Sequence, residues 1–145
     1  MISLFYPHLP ESSGAEAHCR GLNRGFQECG MPCVTRNQFS RRDCLRFVGD
    51  ALSGRYLYIR MNGNSPNFRS VLRLLHWFRK DYILEVNAPH QEDESDSEFY
   101  QKTVRKAQYV VCVSSVLKTY LTPYNENIVV VSNGGVMSPC NVVDK

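Results

Sequence analysis

Glu85, Asn87 and His90 stand together at the end of an apolar run, and their side chains are suited to chemistry. A carboxylate can orient or accept a proton, an amide can hold a hydroxyl, and an imidazole can trade protons near neutral pH. Side chains alternate along a strand, so Glu85 and Asn87 project to the same side. Plain alternatives stay open for each: a hydrogen-bonded strand carboxylate, an asparagine that sets the turn before Ala88-Pro89, and a solvated loop histidine. A second group is Ser12-Ser13-Gly14, which opens onto a helix. Free N–H groups and the positive dipole end there suit an anion or a sugar hydroxyl. A tight turn that needs glycine is the equal alternative. Ser114-Ser115 and Asn133-Gly134 follow two further apolar runs, the first as a helix cap and the second as a turn dipeptide.

Several familiar chemistries are disfavoured. No G-x-G-x-x-G fingerprint occurs, and residues 14–21 lack the Lys-Ser/Thr of a phosphate-binding loop. Six cysteines, at 19, 29, 33, 44, 112 and 140, form no CxxC pair and no regular framework. They read as reduced, structural thiols; a zinc site through Cys29, Cys33 and His18 lacks a second ligand pair. The acidic stretch 92–98 has no coordination-loop pattern, and no metal site is expected. The basic helix over residues 67–80 has two readings, a solvated outer face or contact with acidic lipid at a membrane surface.

These loops must be held by regular elements. Apolar runs over residues 2–6, 32–36, 56–61, 82–86, 109–113 and 128–131 read as strands. Helical periodicity covers residues 15–29, 40–52, 67–80, a segment ending at Lys106, and a short piece capped by Ser114 or Ser115. In the third helix Phe68, Val71, Leu72, Leu75 and Phe78 fall on one stripe. Strands alternating with helices predict an α/β fold, a single Rossmann-like doubly wound domain. Its sheet is mainly parallel and six-stranded, with helices on both faces. Ligands of such sheets bind outside the carboxyl ends of the strands, where the loops above lie.

Length and charge fit one such domain. The chain has 145 residues, 43% hydrophobic and 21% charged, with a net charge of +3. That is enough for one core and too little basicity to make nucleic acid the expected partner. No run approaches the ~20 apolar residues of a transmembrane helix, and the start is unlike a signal peptide. A cytoplasmic location is expected.

Taken in order, the loops resemble a known family. Tyr6-Pro7, Ser13-Gly14-Ala15-Glu16-Ala17-His18, Leu22 and Gly30-Met31-Pro32-Cys33-Val34 are similar to the opening of family-four glycosyltransferases, roughly "YPP…GGAExH…LA…L…GHEVTV". The stretch from Tyr82 to Pro89 resembles that family's "lEvNaP" segment, and the one from Ala107 to Ser114 resembles "ADxvvavS". The stretch from Ile128 to Val136 looks like "kixVvpNGvd", which ends the amino-terminal domain. The resemblance implies one half of a GT-B enzyme, residues 1–136, with residues 137–145 a tail or the start of a linker. It implies transfer of a sugar from a nucleotide-sugar donor to the hydroxyl of an acceptor glycan or lipid. No cofactor or metal is implied, and the donor pocket belongs to a carboxyl-terminal domain that the expectation treats as missing or separate. Asn87 and His90 take the catalytic positions, and Ser13, Gly14, Glu16, Glu85, Ser114 and Asn133 the substrate-binding ones. Ser13 stands where the family has glycine, and Asn87 where many relatives place histidine. The alternative expectation is a catalytically dead remnant that binds a glycan or a partner. An isolated half with an uncovered cleft face is expected to self-associate weakly or to be marginally stable.

Overall fold

The computed structural model describes residues 1–7, 14–62, 65–89 and 94–131. Strands and helices alternate along it: β1 (Ile2–Tyr6), α1 (Gly14–Glu28), β2 (Cys33–Asn37), α2 (Arg41–Leu52), β3 (Tyr56–Arg60), α3 (Pro66–Trp77), β4 (Ile83–Val86), α4 (Glu94–Lys106), β5 (Tyr109–Cys112), α5 (Ser115–Leu121) and β6 (Ile128–Val130). All strand pairs are parallel, in the order β2-β1-β3-β4-β5-β6. The domain is therefore α/β and Rossmann-like, as the alternating pattern predicts.

β1 lies between β2 and β3, and all five of its residues are buried. That explains its nearly continuous apolar run. The two faces are covered unequally. Cys19, Leu22 and Phe26 of α1 pack against Ile2, Leu4, Tyr6 and Tyr58 on one face. On the other face, α2 to α5 bury Phe47, Phe68, Leu72, Leu75, Val104 and Leu121 against Phe5, Ile59, Leu84 and Val110. On the α1 side, Tyr109 remains 48% and Val129 50% exposed.

Helix boundaries follow local chemistry. Ser40, Ser65 and Ser114 cap α2, α3 and α5, each accepting a bond from the N–H three residues on. Three helices end on the same stop, in which the chain turns left-handed and the next N–H reaches back to close the last turn. The bonds are Met31 N–H to Phe26 O at 2.8 Å, Arg55 N–H to Asp50 O at 3.2 Å, and Lys80 N–H to Leu75 O at 2.9 Å. The left-handed residues are Gly30 (φ 71°), Gly54 (φ 78°) and Arg79 (φ 52°).

The stop at Arg79 corrects one expectation. The sequence extends the third helix to Lys80 with Phe78 in its buried stripe, but α3 ends at Trp77. Phe68, Val71, Leu72 and Leu75 are buried as expected, whereas Phe78 swings out and is 40% exposed. β2 starts one residue later than predicted; Pro32 stays outside it and its carbonyl accepts from the Ile2 N–H. Among the described residues no helix is long and apolar enough to cross a membrane.

Candidate functional site

In a parallel sheet all carboxyl ends share one edge, so the strand-end loops are neighbours by construction. Here the chain goes from β1 outward to β2, then returns past β1 to β3. The carboxyl ends of β1 and β3 flank that reversal, where a crevice opens in folds of this kind. Tyr6 ends β1, Arg60 ends β3 and Glu85 lies near the end of the adjacent β4. All three serve one cluster, with Glu85 at its centre.

Glu85 is 2% exposed. The Tyr6 hydroxyl donates to its Oε2. Its Oε1 accepts from Arg60 Nη1 at 3.2 Å and from Asn87 Nδ2 at 3.1 Å, and His18 Nε2 lies 3.4 Å away. The Arg60 guanidinium also sits 5.4 Å from the centre of the Tyr6 ring, which stacks loosely against His18 and Tyr58. Burial on its own would raise the Glu85 carboxyl. The hydrogen bonds from His18 and Tyr6, with the Arg60 charge, overcome it and hold the group below the usual carboxylate range. The same geometry pushes the phenols of Tyr6 and Tyr58 up, first through burial and then through the Glu85 negative charge. At neutral pH Glu85 is therefore an anion among protonated donors.

His18 sits in α1, whose first turn begins at the same edge. Its side chain is 33% exposed, against 2% for Glu85. Nε2 is the ring nitrogen turned toward the carboxylate, and Nδ1 is the one that does not face it. A carboxylate that fixes the tautomer of a partly exposed imidazole prepares it as a base. Asn87 donates to Glu85, while its own buried Oδ1 has no hydrogen-bond partner among the described residues. An amide oxygen in that state suits a ligand hydroxyl. Beneath the cluster, Gln38 is fully buried and ties the strand ends together, donating to Phe5 O at 2.9 Å and Arg60 O at 2.8 Å.

The other anticipated residues divide as follows. Glu85 and Asn87 are in contact, as strand alternation predicts. Glu16, in the first turn of α1, is 8% exposed. Gly14 opens α1, and a Cβ added there meets nothing within 4 Å. Neither its backbone nor its packing among the described residues calls for glycine. Ser114 lies on the same edge, but its hydroxyl accepts the Leu117 N–H at 3.2 Å as the α5 cap. Ser13, His90 and Asn133 lie outside the described residues.

Sequence reasoning missed Arg60 and Tyr58 as members of the site and gave Tyr6 and His18 no role in it. Arg60 reads as an ordinary charged strand end, and Tyr6 contacts Glu85 across 79 residues of chain. The available signal was Glu85 itself, a charge inside the apolar strand ILEV. Among the described residues no three His, Cys, Asp or Glu side chains are grouped to hold a metal ion. A groove of about 270 Å³ lies at the opposite, amino-terminal edge, lined by Arg55, Lys80, Asp81, Tyr82 and Gln108 among others, and contains none of the Glu85 cluster. Compared with family models, curated proteins and solved structures, the chain finds no match.

Proposed function

We propose that this domain is the acceptor-side half of a GT-B glycosyltransferase, in which the crevice beside Glu85 holds the acceptor hydroxyl. The reading is carried by one observation: a buried, anionic Glu85 at the strand ends with the partly exposed His18 imidazole held against it. The order of family-like motifs along the chain supports it as well. In the transfer, the acceptor oxygen attacks the anomeric carbon of the nucleotide-sugar, the bond to the diphosphate breaks, and the hydroxyl proton leaves. His18 Nδ1 takes that proton, and Glu85 stabilises the imidazolium that forms. The Asn87 Oδ1 accepts a bond from a sugar hydroxyl and sets the acceptor's orientation. The donor diphosphate is held by a second, donor-binding half. The donor is already activated, so the scheme calls for no resident cofactor. Cytoplasmic nucleotide-sugar chemistry also suits the five described cysteines, all free thiols.

A second reading is a domain that binds glycan or a partner without transfer. It is favoured by the engagement of both Glu85 oxygens within the protein. The test is titration with oligosaccharides, followed by amide NMR shifts, and then transfer assays with nucleotide-sugars and a donor-binding half. The expected result is saccharide binding that His18→Ala preserves, with transfer reduced roughly 10²-fold or more. Saccharide binding with no transfer selects the second reading. No saccharide binding, together with tight binding of NAD or ATP, overturns both.

A further inference from the structure

The amino-terminal edge of the sheet carries a feature that sugar handling does not use. Trp77, the sole tryptophan of the chain, ends α3 with 76% of its surface exposed. Phe78 follows at 40% exposure, its ring centre 5.2 Å from that of Trp77. Two adjacent large aromatics facing water form an apolar projection that asks for a partner.

Cations lie near the projection in the chain and on the adjoining helix. Arg79 and Lys80 follow in the chain, and Lys102 and Lys106 come from the end of α4. The end of α4 meets this corner through Tyr82, whose hydroxyl lies 2.9 Å from His76 Nε2 and donates to Thr103 O, beside Lys102, at 2.8 Å. The His76 imidazole is lowered to about 4 by burial and then by Lys106 and Lys102. None of the four cations has an ion-pair partner among the described residues. Asp81 is the lone carboxylate in the stretch that links α3 to β4. Basic groups near a helix end complement its dipole, but that does not explain the aromatic pair. Arg79 occupies the left-handed stop that α1 and α2 fill with glycine, so a cation stands where glycine sits without strain.

We propose that this corner docks on an anionic lipid surface. Trp77 and Phe78 enter the headgroup region while Arg79, Lys80, Lys102 and Lys106 face the lipid phosphates. An amphipathic indole suits that depth, and clustered cations suit the negative surface potential. The Glu85 cluster lies at the other end of the strands, so docking leaves its crevice open. The inference is independent of sugar transfer and stands or falls separately.

Because Trp77 is the sole tryptophan, its fluorescence reports docking directly. The protein is mixed with vesicles of phosphatidylcholine alone or of phosphatidylcholine with phosphatidylglycerol. Emission is expected to move to the blue, and acrylamide quenching to fall, with the anionic vesicles only, and salt reverses both. In vesicle co-sedimentation, Lys102→Ala with Lys106→Ala weakens partitioning roughly 25-fold, at about fivefold per cation. Arg79→Gly weakens it about fivefold while leaving the melting temperature equal or higher, which separates lost docking from lost folding. Trp77→Ala weakens it as well. An unchanged spectrum with anionic vesicles, or an equal shift with neutral ones, overturns the proposal. So does capture by heparin or single-stranded RNA without vesicle binding.

Discussion

Asp50 and Glu85 are, with Glu16, the carboxylates buried among the described residues, and the surroundings of these two differ in kind. Asp50, on α2, is 6% exposed and held by Arg36 Nε at 2.9 Å, Arg36 Nη2 at 3.3 Å, Arg55 Nη1 at 2.6 Å and the Ser3 hydroxyl at 2.8 Å. Burial would raise its carboxyl; Arg36 and Ser3 hydrogen bonds and the arginine charges bring it below the ordinary range. Two guanidinium groups face it. Glu85 has one arginine, and its other close partners are a tyrosine, a histidine and an amide. Asp50 ties α2 to β1 and β2 beneath the helix layer. Glu85 lies at the strand ends beside a partly exposed imidazole. The same buried group is thus a clamp in one place and, in the proposed function, a proton-handling centre in the other.

Neutralising each carboxylate tests that division most strongly. Asp50→Asn leaves two arginines facing an amide and is expected to cost about 3 kcal/mol in urea unfolding, with saccharide binding by the folded protein unchanged. Glu85→Gln keeps the shape but removes the charge that holds His18 and Arg60. It is expected to cost about 2 kcal/mol and to abolish saccharide binding or transfer. Equal functional loss in both variants would collapse the distinction.

Single hydroxyls give the next comparison. Tyr6→Phe removes the donor to Glu85 Oε2 and should cost about 1.5 kcal/mol, since bonds to charged groups are the strong ones. Acid sharpens the picture further. Both carboxylates are depressed in the folded state, so the stability they contribute is present above the ordinary carboxyl range and is lost as pH falls through their lower folded values. His76 responds earlier. Its folded value of about 4 lies below the unfolded 6.5, so the unfolded chain takes up the proton first. Stability then falls as pH drops from about 6.5 to about 4, by about 1 kcal/mol once solvent access to the ring is allowed for. His76→Gln should remove this upper limb from a plot of unfolding free energy against pH and leave the carboxylate limb. Ser3→Ala is the smallest change. Two arginines remain on Asp50, and a loss of about 0.5 kcal/mol is expected in the same unfolding assay.

The fold was legible because its signals are local. The run ISLFY marks a strand buried on both faces, and Ser114 marks a cap whose hydroxyl does meet the N–H three residues on. Half of the site was legible for the same reason, since alternation places Glu85 and Asn87 together. The rest depends on distant pairing. Arg60 meets Glu85 across 25 residues and Tyr6 across 79, and no local pattern reports either. Asp50 and Ser3, 47 residues apart, give no sign of each other. Phe78 misled because periodicity continues through a helix stop that usually shows itself as glycine and here is Arg79.

The strand order has a consequence for how the chain comes to be folded. β1 is made first and takes β2 on one side; β3, β4, β5 and β6 are then laid down one after another on the other side, in the order of synthesis. Apart from β3, which pairs with β1, each new strand leaving the ribosome meets the strand made just before it. Nothing finished has to be opened to admit it. Such a sheet can assemble vectorially, strand by strand, as translation proceeds.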